Sequence, residues 1–285
     1  MTRIYLFPGQ GSQKVGMGAE LFTRFPEQMA LAGAELGYSL TELCLRDPQG
    51  QLNQTQFTQP ALFVVDSLTF LNRLVETGEL PHFVAGHSLG EYAALFAAGV
   101  FDFKTGVKLV KQRAALMGRA SGGGMAAVIG LPADRIRQTL NEANLTSIDM
   151  ANLNSPRQTV ISGPVDALTA SQPVLEKAGA QWVKRLPVSA AFHSRYMAEA
   201  EREFAGFLEG FEFKEPRFPV LSNVTGQPHE LPQIKNMLAS QITHPVRWTE
   251  SVQWLLRQPA PEFFELGPGN VLAGLVKRIK TESAV

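Results

Sequence analysis

The chain reads as an α/β protein with a mainly parallel sheet, interrupted by a smaller α+β unit, and three observations predict this. Short apolar runs alternate with longer amphipathic segments, the order in which parallel strands and crossover helices follow one another. One run, Phe83-Val84-Ala85, passes through Gly86-His87-Ser88-Leu89-Gly90 directly into a small-residue helix, Glu91 to Ala98. In the middle of the chain the order changes to strand, helix, strand, strand, helix, strand, the split βαβ pattern of a ferredoxin-like unit.

In chain order, Ile4 to Phe7 is the first strand, and Leu40 to Leu45 is an apolar-periodic segment. Pro60 to Glu76 reads as a helix with Leu62, Val65, Leu68, Phe70 and Leu71 apolar. After the strand and helix around Ser88, Phe103 to Met117 reads as a helix, with Val107, Val110, Ala114 and Met117 spaced by three and four. Ser121-Gly122-Gly123-Gly124 breaks the pattern. The insert then supplies Met125 to Gly130 as a strand, a helix from Pro132 to about Ala143, strands Ile148 to Asn152 and Gln158 to Gly163, a helix from Val165 to Ala178, and a strand Gln181 to Leu186. Phe218 to Leu221 is a strand of the larger unit. The expected division is residues 1–123 and 190–285 for an α/β-hydrolase-like domain and 124–189 for the ferredoxin-like subdomain.

Lys plus Arg equals Asp plus Glu at 26 each, so no global basic field points to nucleic acid or to anionic membranes. The single cysteine, Cys44, cannot form an intrachain disulfide and reads as a buried, inert thiol. The apolar run after Met1 is too short for a secretory signal and no run approaches a bilayer span, so a cytoplasmic protein is expected. Asn223-Val224-Thr225 matches a glycosylation triplet, but without export it reads as a polar turn.

Gly-x-Ser-x-Gly between a strand and a helix is the nucleophile-elbow arrangement, which projects a serine hydroxyl above the sheet edge and points to acyl chemistry. A serine hydroxyl needs a base. Of the five histidines, His229 in a Pro-rich polar loop and His82 before the elbow strand read as solvated, and His87 sits in the elbow with its ring directed elsewhere. His193, where the insert returns to the main domain, is the better base. Asp134, Asp149, Asp166 and Glu176 lie between serine and histidine, but all fall in the insert, so a backbone carbonyl is the alternative partner for the base. Phe7-Pro8-Gly9-Gln10-Gly11-Ser12-Gln13 lacks the Gly-Lys-Ser/Thr of a P-loop and the third glycine of a dinucleotide fingerprint. It remains a loop of exposed N–H groups beside a serine, the material of an oxyanion hole.

Together with Thr58-Gln59-Pro60-Ala61, Gln112-Arg113, Asn154-Ser155-Pro156, Ala191-Phe192-His193-Ser194 and Gly267-Pro268-Gly269, these motifs occur in the order seen in malonyl-CoA:acyl carrier protein transacylases. The resemblance spans essentially the whole chain. Thr55 to Pro60, Gly122 to Leu131 and Ala151 to Pro156 make it most similar to the free-standing acyltransferases that serve polyketide synthases. It implies Ser88 as the acylated nucleophile, His193 as its base held by the backbone carbonyl of Gln241, and the N–H groups of Gln10 and Leu89 as oxyanion donors. It also implies that Arg113 binds the substrate carboxylate, since a guanidinium fork suits a free carboxylate. Met117, Phe192, Val188, His87, Gln59 and Asn154 are the expected acyl pocket, with bulky Phe192 favouring malonyl. Malonyl-CoA would be the donor and the phosphopantetheine thiol of an acyl carrier protein the acceptor, with no bound cofactor, no metal, no membrane or nucleic-acid partner, and a monomeric enzyme. Lys184, Arg185, Arg195, Lys277 and Arg278 are the cations that could meet an acidic carrier. A hydrolase clearing stalled acyl groups and a fatty-acid-synthesis malonyl transacylase are the alternatives.

Overall fold

In the computed structural model, which describes residues 1–282, strand β1 (Thr2–Phe7) carries two apolar sets. Ile4 and Leu6 belong to one core and Tyr5 and Phe7 to another, and all four are fully buried. A strand apolar on both faces belongs inside a covered parallel sheet. Three short helices follow, α1 (Ala19–Arg24), α2 (Pro26–Leu36) and α3 (Leu40–Leu45), then the long α4 (Thr55–Thr77), β2 (Phe83–Gly86), α5 (Gly90–Ala97) and α6 (Phe103–Arg119). Helix α4 starts more than a turn before the expected Pro60 and carries that proline inside it. Proline removes its own N–H and its ring crowds the carbonyl four residues earlier, a cost that the buried run Thr58 to Leu68 offsets. Cys44 in α3 is buried, which pushes its thiol up to about 12.

The insert comprises β3 (Gly123–Ile129), α7 (Ala133–Glu142), β4 (Asp149–Ser155), β5 (Gln158–Pro164), α8 (Val165–Lys177) and β6 (Trp182–Arg185). Its strands pair antiparallel in the order β4-β5-β3-β6, the ferredoxin-like arrangement. Ala126, Val128 and Ile161 of the sheet bury against Ile136 and Leu140 of α7 and Leu168 and Leu175 of α8.

The chain then returns through α9 (Ala198–Leu208), β7 (Val220–Leu221), α10 (Ile234–Ser240), α11 (Trp248–Leu256), β8 (Pro261–Glu265) and α12 (Val271–Glu282). The parallel sheet has the order β7-β2-β1-β8, with Ile4 opposite Phe83 and opposite Phe263. Helices α4, α5 and α6 cover the Tyr5 and Phe7 face, and α11 and α12 cover the Ile4 and Leu6 face through Trp248, Val252, Leu272 and Ile279. Strand β4 is tied to the main body: Asn152 bridges to Val246, and the Thr249 hydroxyl donates to the Leu153 carbonyl at 2.8 Å. Strands β1 and β2 run parallel and end together at Phe7 and Gly86, so the turns that follow them lie side by side. Among the described residues no helix is long and apolar enough to cross a membrane.

Candidate active site

Between β2 and α5 the chain reverses so tightly that two positions admit only glycine. A Cβ on Gly86 would lie 1.9 Å from the Gly90 carbonyl carbon, and one on Gly90 would lie 2.0 Å from the Phe7 carbonyl oxygen. Ser88 sits at φ 52°, a left-handed conformation that costs a non-glycine residue free energy and persists only when its surroundings fix it. The brace is Asn223. The Ser88 N–H donates to its Oδ1 at 2.6 Å, and its Nδ2 donates to the Gly86 carbonyl at 2.7 Å. Asn223 is buried, so the expectation of a mere polar turn is corrected: the turn after β7 clamps the elbow. The Asn-x-Thr pattern concealed this role, because the contact is with a residue distant in sequence.

His193 follows the insert, also at positive φ (55°). Its Nδ1 lies 2.7 Å from the Gln241 carbonyl and its Nε2 2.8 Å from the Ser88 hydroxyl. A carbonyl only accepts, so Nδ1 carries the hydrogen and donates it, leaving the Nε2 lone pair to accept from Ser88. Burial, and next the charge of Arg113, push the His193 pKa down to about 3, so the ring is neutral and able to take a proton. None of the four insert acids takes this orienting place; Asp149, for example, pairs with Arg195.

Leu89 opens helix α5 and Gln10 lies in the loop after β1, both beside Ser88. The backbone N–H of neither has a hydrogen-bond partner among the described residues. The Gln10 loop is held close to the elbow, since a Cβ on Gly9 would lie 2.3 Å from the His87 carbonyl oxygen.

Arg113, on α6, is fully buried. Its Nη1 donates to Gln59 Oε1 at 2.7 Å, and its Nη2 donates to Gln241 Oε1 at 2.7 Å and to Ser88 Oγ at 3.1 Å. No carboxylate lies within ion-pair distance among the described residues, and burial pulls its pKa down. Its guanidinium lies 5.4 Å from the Tyr92 ring centroid.

These groups converge on a cavity of about 100 Å³. Met117, Phe192, His87, Gln59 and Val188 line it, as do Met125, Asn152 and Leu186, which local sequence pattern did not single out. Asn154 does not line it; its Oδ1 accepts from His87 Nε2 at 2.8 Å, one layer back. That bond and the packing of His87 on Trp248, 5.5 Å between ring centroids, aim the ring away from the Ser88 hydroxyl. Two larger clefts share residues with the cavity: one of about 620 Å³ through His193, and one of about 470 Å³ through Gln10 and Val188.

His229 is not solvated. Its side chain is fully buried and its Nε2 lies 2.5 Å from Glu91 Oε1. The Pro-rich loop folds inward because the buried Glu91 carboxylate needs donors, a demand invisible in local sequence. The candidate carrier-facing cations do not gather in one patch. Lys184 and Arg185 lie on edge strand β6, whereas Lys277 and Arg278 lie on α12, which packs against the opposite edge strand β4.

The model of the acyl transferase domain family matches residues 4–281. The polyketide biosynthesis malonyl CoA-acyl carrier protein transacylase PksC of Bacillus subtilis is 50% identical over 280 residues, 98% of this chain and 97% of that protein. The polyketide biosynthesis protein ThaF of Burkholderia thailandensis is 49% identical over 98% of this chain, which spans only 24% of ThaF. A crystal structure of malonyl CoA-acyl carrier protein transacylase from Burkholderia pseudomallei superposes with a TM-score of 0.96 at 46% identity, covering 99% of both chains. The chain belongs to the acyl transferase domain family.

Proposed function

We propose that this acyl transferase moves a malonyl group from malonyl-CoA to the phosphopantetheine thiol of an acyl carrier protein, through a malonyl ester on Ser88. One observation carries the reading: the Ser88 hydroxyl lies between a neutral imidazole, 2.8 Å away, and a fully buried guanidinium, 3.1 Å away, that has no carboxylate partner among the described residues. A buried cation of this kind is costly for an enzyme of simple acyl groups and useful to one whose substrate carries its own carboxylate.

In the first half-reaction His193 Nε2 takes the Ser88 proton as Oγ attacks the thioester carbonyl. The oxyanion is received by the N–H groups of Gln10 and Leu89, each worth about 2.7–4 kcal/mol in a transition state. The tetrahedral species collapses with loss of the CoA thiolate, which the imidazolium protonates. In the second half His193 deprotonates the carrier's thiol, the sulfur attacks the Ser88 ester, and Oγ recovers its proton. Arg113 holds the malonyl carboxylate throughout, exchanging its contact with the Ser88 hydroxyl for a charge-assisted pair. The clefts bordering Gln10 and His193 give the long thiol arm a path. The relatives named for polyketide biosynthesis support a polyketide synthase as the destination; the enzyme is proposed to act in the cytoplasm as a monomer.

Labelled malonyl-CoA and acetyl-CoA test this reading. Malonyl label should stay on the protein, pass to a carrier protein, and vanish in Ser88→Ala. Rapid release of acetate with no stable malonyl ester would establish a hydrolase instead. Polyketide and fatty-acid carrier proteins assayed side by side identify the acceptor.

A further inference from the structure

Glu91 takes no part in the mechanism above, yet it is fully buried beside the serine, at the start of α5, where the helix N-terminus favours a negative charge. Its Oε1 accepts from His229 Nε2 at 2.5 Å, and its Oε2 accepts from Gln241 Nε2 at 2.5 Å and from the Asn223 N–H at 3.3 Å. The other hydrogen of Gln241 Nε2 goes to the Ser88 carbonyl at 2.9 Å, and Gln241 Oε1 accepts from Arg113 at 2.7 Å.

This arrangement fixes the Gln241 amide in one orientation. Turning it over would set its oxygen against the Glu91 carboxylate and the Ser88 carbonyl, and its NH₂ against the guanidinium, losing all three bonds. The anion therefore determines that Arg113 meets an amide oxygen. It also supplies Arg113 with a counter-charge at one amide's remove. A carboxylate in direct contact would occupy the guanidinium fork; a bridged one favours the cation and leaves the fork exchangeable for a carboxylate on the substrate.

We propose that Glu91, acting through the Gln241 side chain, is a positioning residue for Arg113 and a determinant of selectivity for carboxyl-bearing acyl groups. This rests on Arg113 binding the substrate carboxylate. His229 completes the device by taking the second carboxylate oxygen. The Gln241 residue thus has two separate jobs, its backbone carbonyl orienting His193 and its side chain orienting Arg113.

The test compares kcat/KM for malonyl-CoA and acetyl-CoA in Glu91→Gln, in Gln241→Met, and in each combined with Arg113→Ala. Loss of charge-assisted bonding predicts that each single variant lowers the malonyl-to-acetyl ratio at least about tenfold. In the Arg113→Ala background neither should lower the ratio further, because the residue they position is gone. Equal losses for both acyl groups, or a ratio that falls as far without Arg113 as with it, would overturn the proposal and leave Glu91 a brace for the elbow alone. A wild-type enzyme with no preference for malonyl refutes the reading of Arg113 itself. A wild-type preference that survives in both variants refutes only the role of Glu91.

Discussion

Two buried ionisable side chains on the packed helices α4 and α6 are treated in opposite ways. Arg113 has hydrogen-bond partners for both terminal nitrogens, drawn from Gln59, Gln241 and Ser88. Asp66 on α4 is equally buried, and neither of its carboxyl oxygens has a partner among the described residues. Burial, and next the nearby Glu265, raise the Asp66 pKa well above the ordinary carboxylate value. The difference lies in the chemistry of the two groups. A carboxylate can escape the cost of burial by taking a proton; a guanidinium cannot give one up, so its surroundings must answer it. Arg113 therefore organises a polar network that reaches Ser88, while Asp66 lies against Gly267, where a Cβ would come within 2.3 Å of its Oδ1.

Removing the partnered charge should have the largest effect. Two charge-assisted bonds at about 1.5–3 kcal/mol each predict that Arg113→Ala slows malonyl transfer by about 10²–10⁴-fold. Acetyl transfer should be spared or improved; equal losses for both would dissolve the contrast. The pH dependence should follow from the same charge. With His193 pushed down to about 3, the acid limb of kcat/KM should lie well below pH 6.5, and in Arg113→Ala it should move upward as the repulsion disappears. The sign for stability is fixed too. Folding keeps His193 neutral while the unfolded ring protonates below about 6.5, so its share of stability is full above that pH and is lost as pH falls toward about 3.

Asp66→Asn should have the smallest effect, leaving transfer rates unchanged. Asp66 keeps a proton in the folded state that the unfolded chain releases above about 3.9, so its contribution declines as pH rises through the folded value. The variant should match the wild type in unfolding free energy at pH 4, within about 1 kcal/mol, and equal or exceed it in Tm at pH 8. A lower Tm at pH 8 alone would mean that the carboxylate is ionised and held.

Much of this was legible in the order of residues because the signals were local. Alternation of apolar runs and amphipathic segments requires only the near neighbours of each residue, and it located β1, β2, α6 and the whole insert. The glycines of the elbow declare a close approach by themselves, and the family motifs singled out His193 and Arg113. Strand β8 was missed because a short edge segment, Pro261–Glu265, offers little period to read. Asn223, Glu91 and His229 were misread or passed over for a different reason. Each looks like a polar residue in a turn or at a helix start, and its partners lie far away in the chain: Asn223 on Ser88, His229 on Glu91.

The sequence by itself determined the fold class and the Ser88 elbow, which local patterns carry, and its family motifs pointed to His193 and Arg113. Only the tertiary structure decided which neutral side chains brace them. Asn223 and Gln241 are chosen by where β7 and α10 bring their side chains against the elbow, and a hydrogen bond across more than a hundred residues leaves no mark on the spacing of either partner.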